Sequence, residues 1–104
     1  MIKNVEELKS LAKTVRKDII SMLTESRSGH PGGSLSAADI LTTLYFGEMN
    51  IDPNNPKDEN RDRFVLSKGH AAPVLYSVLA RKGYFPVEEL NTLKCTAKDL
   101  TILN

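Results

Sequence analysis

Cysteine, histidine and tryptophan are scarce in this chain. The 104 residues include one cysteine, Cys95, two histidines and no tryptophan. A single cysteine forms no internal disulfide, which is typical of a protein of the reducing cytoplasm rather than of a disulfide-stapled secreted domain. Three candidate zinc ligands of these two types argue against a closed structural zinc site. Because no histidine is near Cys95 in sequence, we interpret it as an incidental thiol and not as a nucleophile.

Long hydrophobic runs and an excess of one charge sign are also absent. No apolar run approaches the ~20 residues that cross a bilayer, and the charged start MIKNVEELKS lacks the apolar core of a signal peptide. Fourteen basic and thirteen acidic residues are interspersed, for a net charge of +1. This balance disfavours nucleic acid and anionic membranes as partners. We expect a single small cytoplasmic domain.

Apolar spacing predicts helices in the first half of the chain. Asn4 followed by Glu7 is a capping pair, and it precedes an amphipathic helix over residues 5–26. A second helix is predicted to begin near Ser34 or Ser36 and to stop within LYFGEMN. The apolar stripe of the first helix consists of Val5, Leu8, Leu11, Ala12, Val15, Ile19, Met22 and Leu23. That of the second consists of Ala37, Ile40, Leu41, Leu44 and Tyr45.

The second half mixes loop, strand and helix signals. NIDPNNPKDENRD is rich in turn formers and predicts a surface loop, and the short apolar run RFVLS that follows is a strand candidate. A third helix is predicted over 71–82, ended by Gly83, and a fourth opens at Pro86. A lone strand cannot satisfy its own backbone groups. Either it pairs with another chain, or this chain lacks strands that the fold requires.

The two histidines occupy similar places. His30 lies in the glycine-rich turn SGHPGG between two predicted helices, and His70 lies in SKGHA at the start of another. Turns held by a rigid scaffold often carry binding residues, and histidine exchanges protons near neutral pH. The spacing alone also allows a purely structural role, in which each histidine only caps a helix or fills a turn. The GHPGG turn matches neither a dinucleotide-binding nor a Walker loop.

Longer strings resemble a known family. SGHPGGSLSAADILTTLYF and IDPNNPKDENRDRFVLSKGHAAPVLYSVLARKGYF closely resemble the N-terminal region of transketolases, above all the split bacterial and archaeal form whose N-terminal half is a separate subunit. The resemblance runs from about residue 5 to residue 94. We assign residues 1–94 to the N-terminal part of a thiamine diphosphate-binding domain and residues 95–104 to a divergent tail. It implies an α/β fold, a parallel sheet flanked by helices that binds thiamine diphosphate. This chain would carry its N-terminal helical part with about one strand.

The resemblance also implies an activity and a site. Transketolases transfer two-carbon ketol units between sugar phosphates, using thiamine diphosphate and Mg²⁺. By this resemblance, His30 is the catalytic residue that reaches the substrate and assists proton transfer. His70 lies against the cofactor, and Gly69 and Ser67 shape that cofactor-binding turn. Carbohydrate metabolism is the expected setting.

Two departures qualify the expected activity. The family holds its metal through a Gly-Asp-Gly motif, and no glycine of this chain is followed by aspartate. The resemblance also fails after Lys94, which suggests a truncated product that is inactive alone. A C-terminal transketolase subunit or self-association would complete it. The alternatives are another thiamine diphosphate enzyme, such as 1-deoxyxylulose-5-phosphate synthase or dihydroxyacetone synthase, and a non-catalytic helical docking fragment.

Remaining polar and aromatic residues are given structural roles. The RDR run at 61–63 is predicted to make ion pairs at the entrance to the strand, and Tyr45, Phe46 and Tyr76 are predicted to lie in a core or interface. Because the apolar stripes have little sheet to cover, we expect a marginally stable helical unit that tends to self-associate.

Overall fold

Three α-helices pack against one another in the computed structural model, which describes residues 4–26, 31–67 and 71–91. Helical residues dominate these ranges, and no strand occurs in them, as befits the N-terminal helical part of a larger α/β domain. A π-helical turn extends the second helix, and a short 3₁₀ segment follows the third. In chain order the elements are α1 (Val5–Ser26), α2 (Pro31–Thr43), the π turn (Leu44–Glu48), α3 (Ala72–Lys82) and the 3₁₀ segment (Val87–Asn91).

The first helix matches its prediction in both extent and cap. The Asn4 Oδ1 accepts hydrogen bonds from the backbone N–H groups of Glu6 at 2.8 Å and Glu7 at 3.4 Å, which satisfies two of the free donors at the helix start. The stripe prediction is wrong only for Val5, which is 61% exposed. Four stripe residues are buried, namely Ala12, Val15, Ile19 and Met22. Three more are partly buried against the core, namely Leu8, Leu11 and Leu23.

The second helix begins earlier than predicted. It starts at Pro31, so Ser34 and Ser36 lie inside the helix rather than at its first residue. The Ser36 hydroxyl donates to the Gly33 carbonyl at 3.0 Å, within the same helix. Proline is favoured at the first helical position because its φ angle is already helical and it lacks the N–H that would go unpaired. The two glycines after Pro31 do not break the helix.

The predicted apolar stripe of the second helix is wrong only for Ile40, which is 64% exposed. Leu41 and Tyr45 are buried, and Ala37 and Leu44 are partly buried against the core. Ala38, which the stripe did not include, is also buried. The chain then widens into the π turn, after which the Met49 N–H reaches the Leu44 carbonyl at 2.7 Å.

The third helix lies at the centre of the molecule. It follows its predicted range within one residue, and every residue from 71 to 80 is buried. Gly83 ends it with φ of 109°, and its N–H bonds the Ala80 carbonyl at 3.0 Å. The Tyr84 N–H bonds the Leu79 carbonyl at 3.0 Å. These contacts form the glycine-dependent stop that the sequence predicted.

The region between α2 and α3 differs from its prediction in one respect. Residues 49–61 form the expected turn-rich loop, but the RFVLS run forms no strand, and residues 63–66 make no ladder with any described residue. The physical reason is that an isolated strand has no neighbouring strand to hydrogen-bond its backbone groups.

The predicted fourth helix, which follows α3, is a 3₁₀ segment over Val87–Asn91.

The described ranges contain no candidate for a membrane-spanning helix. None of the helices there is both long enough and apolar enough to cross a bilayer.

Candidate functional site

Each histidine motif leads directly into a helix of the described fold. The helix α2 starts at Pro31, the residue after His30, and α3 starts at Ala72, two residues after His70. His30, Gly69 and His70 themselves lie outside the described residues, so the roles assigned to them remain predictions. The geometry that can be read is that of the helices on which these turns end.

Of the four predicted site residues, only Ser67 lies within the described part of the chain. It is exposed and directly follows the 63–66 stretch. Phe64 and Leu66 of that stretch are partly buried against the helical core, whereas Val65 is 80% exposed. This alternation anchors the segment on one side and brings Ser67 to the surface.

A cluster of three hydrogen bonds to one carboxylate joins α1 to α3. The Arg81 Nε donates to Asp18 Oδ2 at 2.9 Å, and the Arg81 Nη2 donates to Asp18 Oδ1 at 2.8 Å. The buried Ser77 hydroxyl also donates to Asp18 Oδ2, at 2.7 Å. The hydrogen bonds to Asp18 raise the pKa of the Arg81 guanidinium, against the opposing effect of partial burial. Nothing in the sequence indicated this Asp18 cluster, because Ser77 and Arg81 follow Asp18 by 59 and 63 residues.

A second acid–arginine pair joins α1 to α2. Arg16 Nη1 donates to Asp39 Oδ1, and the two side chains are 42% and 75% exposed. The Arg81 and Asp18 side chains are 32% and 12% exposed. Since water screens exposed pairs, the Arg16–Asp39 contact contributes little to stability, whereas the Asp18 cluster is held in a drier setting. The helix α1 therefore contacts both helices that follow a histidine motif through a carboxylate–guanidinium pair.

Two hydroxyl groups on α2 are buried without a hydrogen-bond partner among the described residues. They are Ser34 Oγ and Thr42 Oγ1, on side chains that are 0% and 1% exposed. A buried hydroxyl without a partner costs about 1–3 kcal/mol. Serine and threonine at these positions interrupt the apolar face of α2. The sequence pattern marked Ser34 only as a candidate helix start and did not mark Thr42.

The RDR run acts differently from its prediction. The Arg61 Nη1 donates to the Asp58 carbonyl at 2.8 Å, and Asp62 Oδ2 accepts the Asn50 N–H at 2.6 Å. These are contacts with the backbone of the loop, and the predicted ion pairs of residues 61–63 do not occur within the described ranges. The Asp62–Asn50 contact joins the two ends of the loop, whereas the Arg61–Asp58 contact lies within its last turn.

The aromatic predictions are confirmed. Tyr45 and Phe46 are each 6% exposed and Tyr76 is fully buried, so all three are core residues. Burial raises the pKa of Tyr45 to about 12, with a smaller contribution from Tyr84. A tyrosine whose neutral form is favoured this strongly is not a proton carrier near pH 7.

Metal-ligating side chains do not cluster in the described part of the chain. No group of three or more His, Cys, Asp or Glu residues there could hold a metal ion. The described residues thus do not fit the metal end of a metal-bridged diphosphate.

Comparison with known proteins assigns the family. Residues 7–100 match the family model described as "Transketolase, thiamine diphosphate binding domain". The chain is 51% identical over 84% of its length to a 6-deoxy-6-sulfo-D-fructose transketolase subunit of Clostridium sp. (strain MSTE9), covering 32% of that protein. It is 42% identical over 86% of its length to an apulose-4-phosphate transketolase subunit of Phocaeicola vulgatus, covering 32% of it.

A full-length enzyme matches over the same region. The human transketolase is 42% identical over 92% of this chain, which corresponds to 15% of the human protein. The chain therefore spans about a third or less of the length of these curated relatives. The family match covers most of its residues, including both helices that follow the histidine motifs, and on this ground the chain belongs to the transketolase family, in its thiamine diphosphate-binding domain.

Proposed function

We propose that this chain provides the N-terminal part of the thiamine diphosphate-binding half of a transketolase that transfers two-carbon ketol units between sugars. The observation that carries the proposal is that the family match covers both histidine motifs in order. The described fold supports it, because α2 and α3, the helices that follow these motifs, pack on each other and on α1. All relatives named above are transketolases or transketolase subunits, which favours this activity over other thiamine diphosphate enzymes.

The two histidines have separate roles in the proposal. His30 reaches the substrate and moves protons to and from its hydroxyl groups, a task suited to an imidazole near neutral pH. His70 lies against the cofactor, in a turn shaped by Gly69 and Ser67. The exposure of Ser67 is consistent with a residue at the rim of a binding cleft.

The cofactor supplies the difficult part of the chemistry. Thiamine diphosphate, when bound, provides the electron sink for making and breaking carbon–carbon bonds, while the protein binds, orients and shuttles protons. Because no metal-binding cluster occurs among the described residues, we assign no Mg²⁺ ligand to this chain and derive no step through the metal. Oxygen ligands outside the described residues, including those of the partner, would hold Mg²⁺, since hard cations require oxygen ligands.

The substrates are proposed to be anionic sugars. Two relatives are named for 6-deoxy-6-sulfo-D-fructose and apulose 4-phosphate, a sulfonated and a phosphorylated sugar. We extend that class to this chain as sugar phosphates or sugars of similar charge.

The partner is proposed to be a C-terminal transketolase subunit, with self-association as the alternative. Relatives named as subunits support a split enzyme. Large exposed apolar side chains, Val65 at 80% and Ile40 at 64%, are consistent with surfaces that further protein covers. On this proposal the 104 residues alone show no turnover.

The test measures cofactor binding and turnover separately. The chain is titrated calorimetrically with thiamine diphosphate and Mg²⁺, alone and mixed with a C-terminal transketolase subunit, and ketol transfer between sugar phosphates is assayed in each sample. We expect turnover only in the mixture. His30→Gln should lower kcat, and His70→Gln should raise the KM for thiamine diphosphate, so each variant is the control for the other.

Two outcomes would contradict the proposal. Turnover by the chain alone would overturn the requirement for a partner. A stable complex that neither binds thiamine diphosphate nor turns over would instead support the non-catalytic docking alternative.

A further inference from the structure

We propose that Asp18 is a positioning residue that sets the rotation of α3, the helix that follows the SKGHA motif in the sequence. The part of the inference that concerns the function of His70 rests on the proposed function above. The part that concerns the orientation of α3 depends only on the contacts of the described residues.

The helix α3 is buried on all sides along most of its length. Every residue from 71 to 80 is buried, and Tyr76 and Ser77 are the polar ones among them. Apolar burial is non-directional, so polar contacts help to favour one rotation of such a helix over others.

The Asp18 cluster supplies that direction. Ser77 and Arg81 are four residues apart and therefore lie on one face of α3, one turn from each other. Both donate to the same carboxylate, and the arginine does so through two nitrogen atoms. A bidentate contact restricts the plane of the guanidinium as well as its distance. Two contacts spaced along the axis define the rotation and the axial position of α3 together.

A rotated helix would leave the carboxylate in an unfavourable state. Asp18 has a side chain only 12% exposed, and its partners Ser77 and Arg81 would turn away from it. Breaking a largely buried pair while leaving one charge without a partner is strongly destabilising. The exposed Arg16–Asp39 pair carries no such penalty, since water solvates both groups when they separate.

The rotation set at Ser77 is carried to the start of the helix. Ser77 is five residues after Ala72, so the two lie about 7.5 Å apart along the helix axis at 1.5 Å per residue. A hydrogen-bonded helix of this length turns as a rigid unit, and Ala71 directly follows His70 in the sequence. Loss of the Asp18 contacts should therefore change the NMR signal of His70 more than that of His30.

The test follows the two imidazoles by NMR in the complete 104-residue chain. With only two histidines, each ring signal is assigned by comparison with His30→Gln. We expect Asp18→Asn to displace the His70 signal and to leave the His30 signal in place. Asp39→Asn, which removes the other acid–arginine pair of α1, is the matched control and should displace neither signal to the same extent.

Further variants separate positioning from general stability. Leu41→Ala shortens a buried core side chain away from the Asp18 cluster, and it provides a variant of reduced stability with that cluster intact. An equal displacement of the His70 signal in Leu41→Ala and Asp18→Asn would overturn the proposal. If Asp18→Asn does not fold, Ser77→Ala removes one contact and keeps the ion pair, and it should displace the His70 signal in the same direction by less. An unchanged His70 signal in that variant would also overturn the proposal.

A kinetic measurement tests the link to function. In the complex with a C-terminal subunit, Asp18→Asn should raise the KM for thiamine diphosphate about tenfold, equivalent to ~1.4 kcal/mol, with a smaller change in kcat. Asp18→Glu keeps the charge and should restore part of the affinity. If the wild-type complex binds no thiamine diphosphate, the proposed function fails, whereas the NMR result still decides whether Asp18 orients α3.

Discussion

The rings of Tyr45 and Phe64 meet edge to face, with their centroids 6.0 Å apart and their planes at 71°. This contact attaches the 63–66 stretch, which precedes Ser67, to the π turn at the end of α2. No regular backbone pairing holds the stretch in the described ranges, so side-chain burial has to do so. The position of the 63–66 stretch, which Ser67 directly follows, therefore depends in part on an aromatic contact.

Shortening Phe64 should destabilise the chain. We expect Phe64→Ala to lower the free energy of unfolding by about 2 kcal/mol, less than for a fully buried phenylalanine because Phe64 is only partly buried. Denaturant unfolding followed by circular dichroism measures the change. The adjacent Val65, 80% exposed, is the matched control, and Val65→Ala should change stability by less than ~0.5 kcal/mol. Equal effects of the two substitutions would show that the ring contact contributes nothing.

Replacing Gly83 should be costly because of its backbone conformation. A Cβ at this position would meet its nearest atom, Pro53 Cγ, at 3.6 Å, which is an ordinary contact. The φ of 109° is nevertheless strained for any L-residue with a Cβ. We expect Gly83→Ala to destabilise by about 1–2 kcal/mol, measured as a fall in the free energy of unfolding.

Gly32 provides the opposite case for comparison. It is helical, and a Cβ added there would meet nothing within 4 Å. Gly32→Ala should stabilise the chain by up to ~1 kcal/mol. A loss of stability in both glycine variants would point to a cause other than the positive φ.

The ionisation of Tyr45 predicts a pH dependence at alkaline pH. Burial raises its pKa to about 12 in the folded chain, whereas the unfolded chain ionises near the ordinary value of 10. The stability from this group is complete below pH 10 and is lost as pH rises from 10 to 12, by up to ~1.4 kcal/mol per pH unit. Burial also raises the pKa of Tyr84, which acts in the same direction.

Absorbance of the tyrosinate and unfolding curves at several alkaline pH values measure this effect. Tyr45→Phe should remove most of the dependence and keep the core packed. A wild-type chain and a Tyr45→Phe variant that lose stability in parallel above pH 10 would disprove the assignment to Tyr45.

Local sequence signals were sufficient for the ends of α1 and α3. Asn4 at the start of α1 and Gly83 at the end of α3 act within one helical turn, through backbone groups that the nearest residues satisfy. The start of α2 was misplaced because two serines resemble caps, while Pro31 begins the helix. The strand predicted at RFVLS did not form, since a strand requires partners that lie elsewhere in a chain.

The sequence revealed some residues of the candidate site and not others. His30 and His70 could be singled out from sequence, because their turns are locally distinctive and resemble a family motif. The Asp18 cluster could not, because a carboxylate on α1 meets its partners on α3 only after the helices pack, and each of these residues is ordinary in its local context.

The sequence by itself determined the family, the helical character of the chain, the ends of α1 and α3, and the two histidine motifs. These follow from short-range backbone chemistry and from long matching strings. The tertiary structure alone decided that Ile40 of α2 is exposed, that the RFVLS run forms no ladder among the described residues, and that α1 is joined to both α2 and α3 by acid–arginine pairs. Those features depend on contacts between residues far apart in the chain, and apolar side chains attract without direction until packing and a few polar contacts select one arrangement.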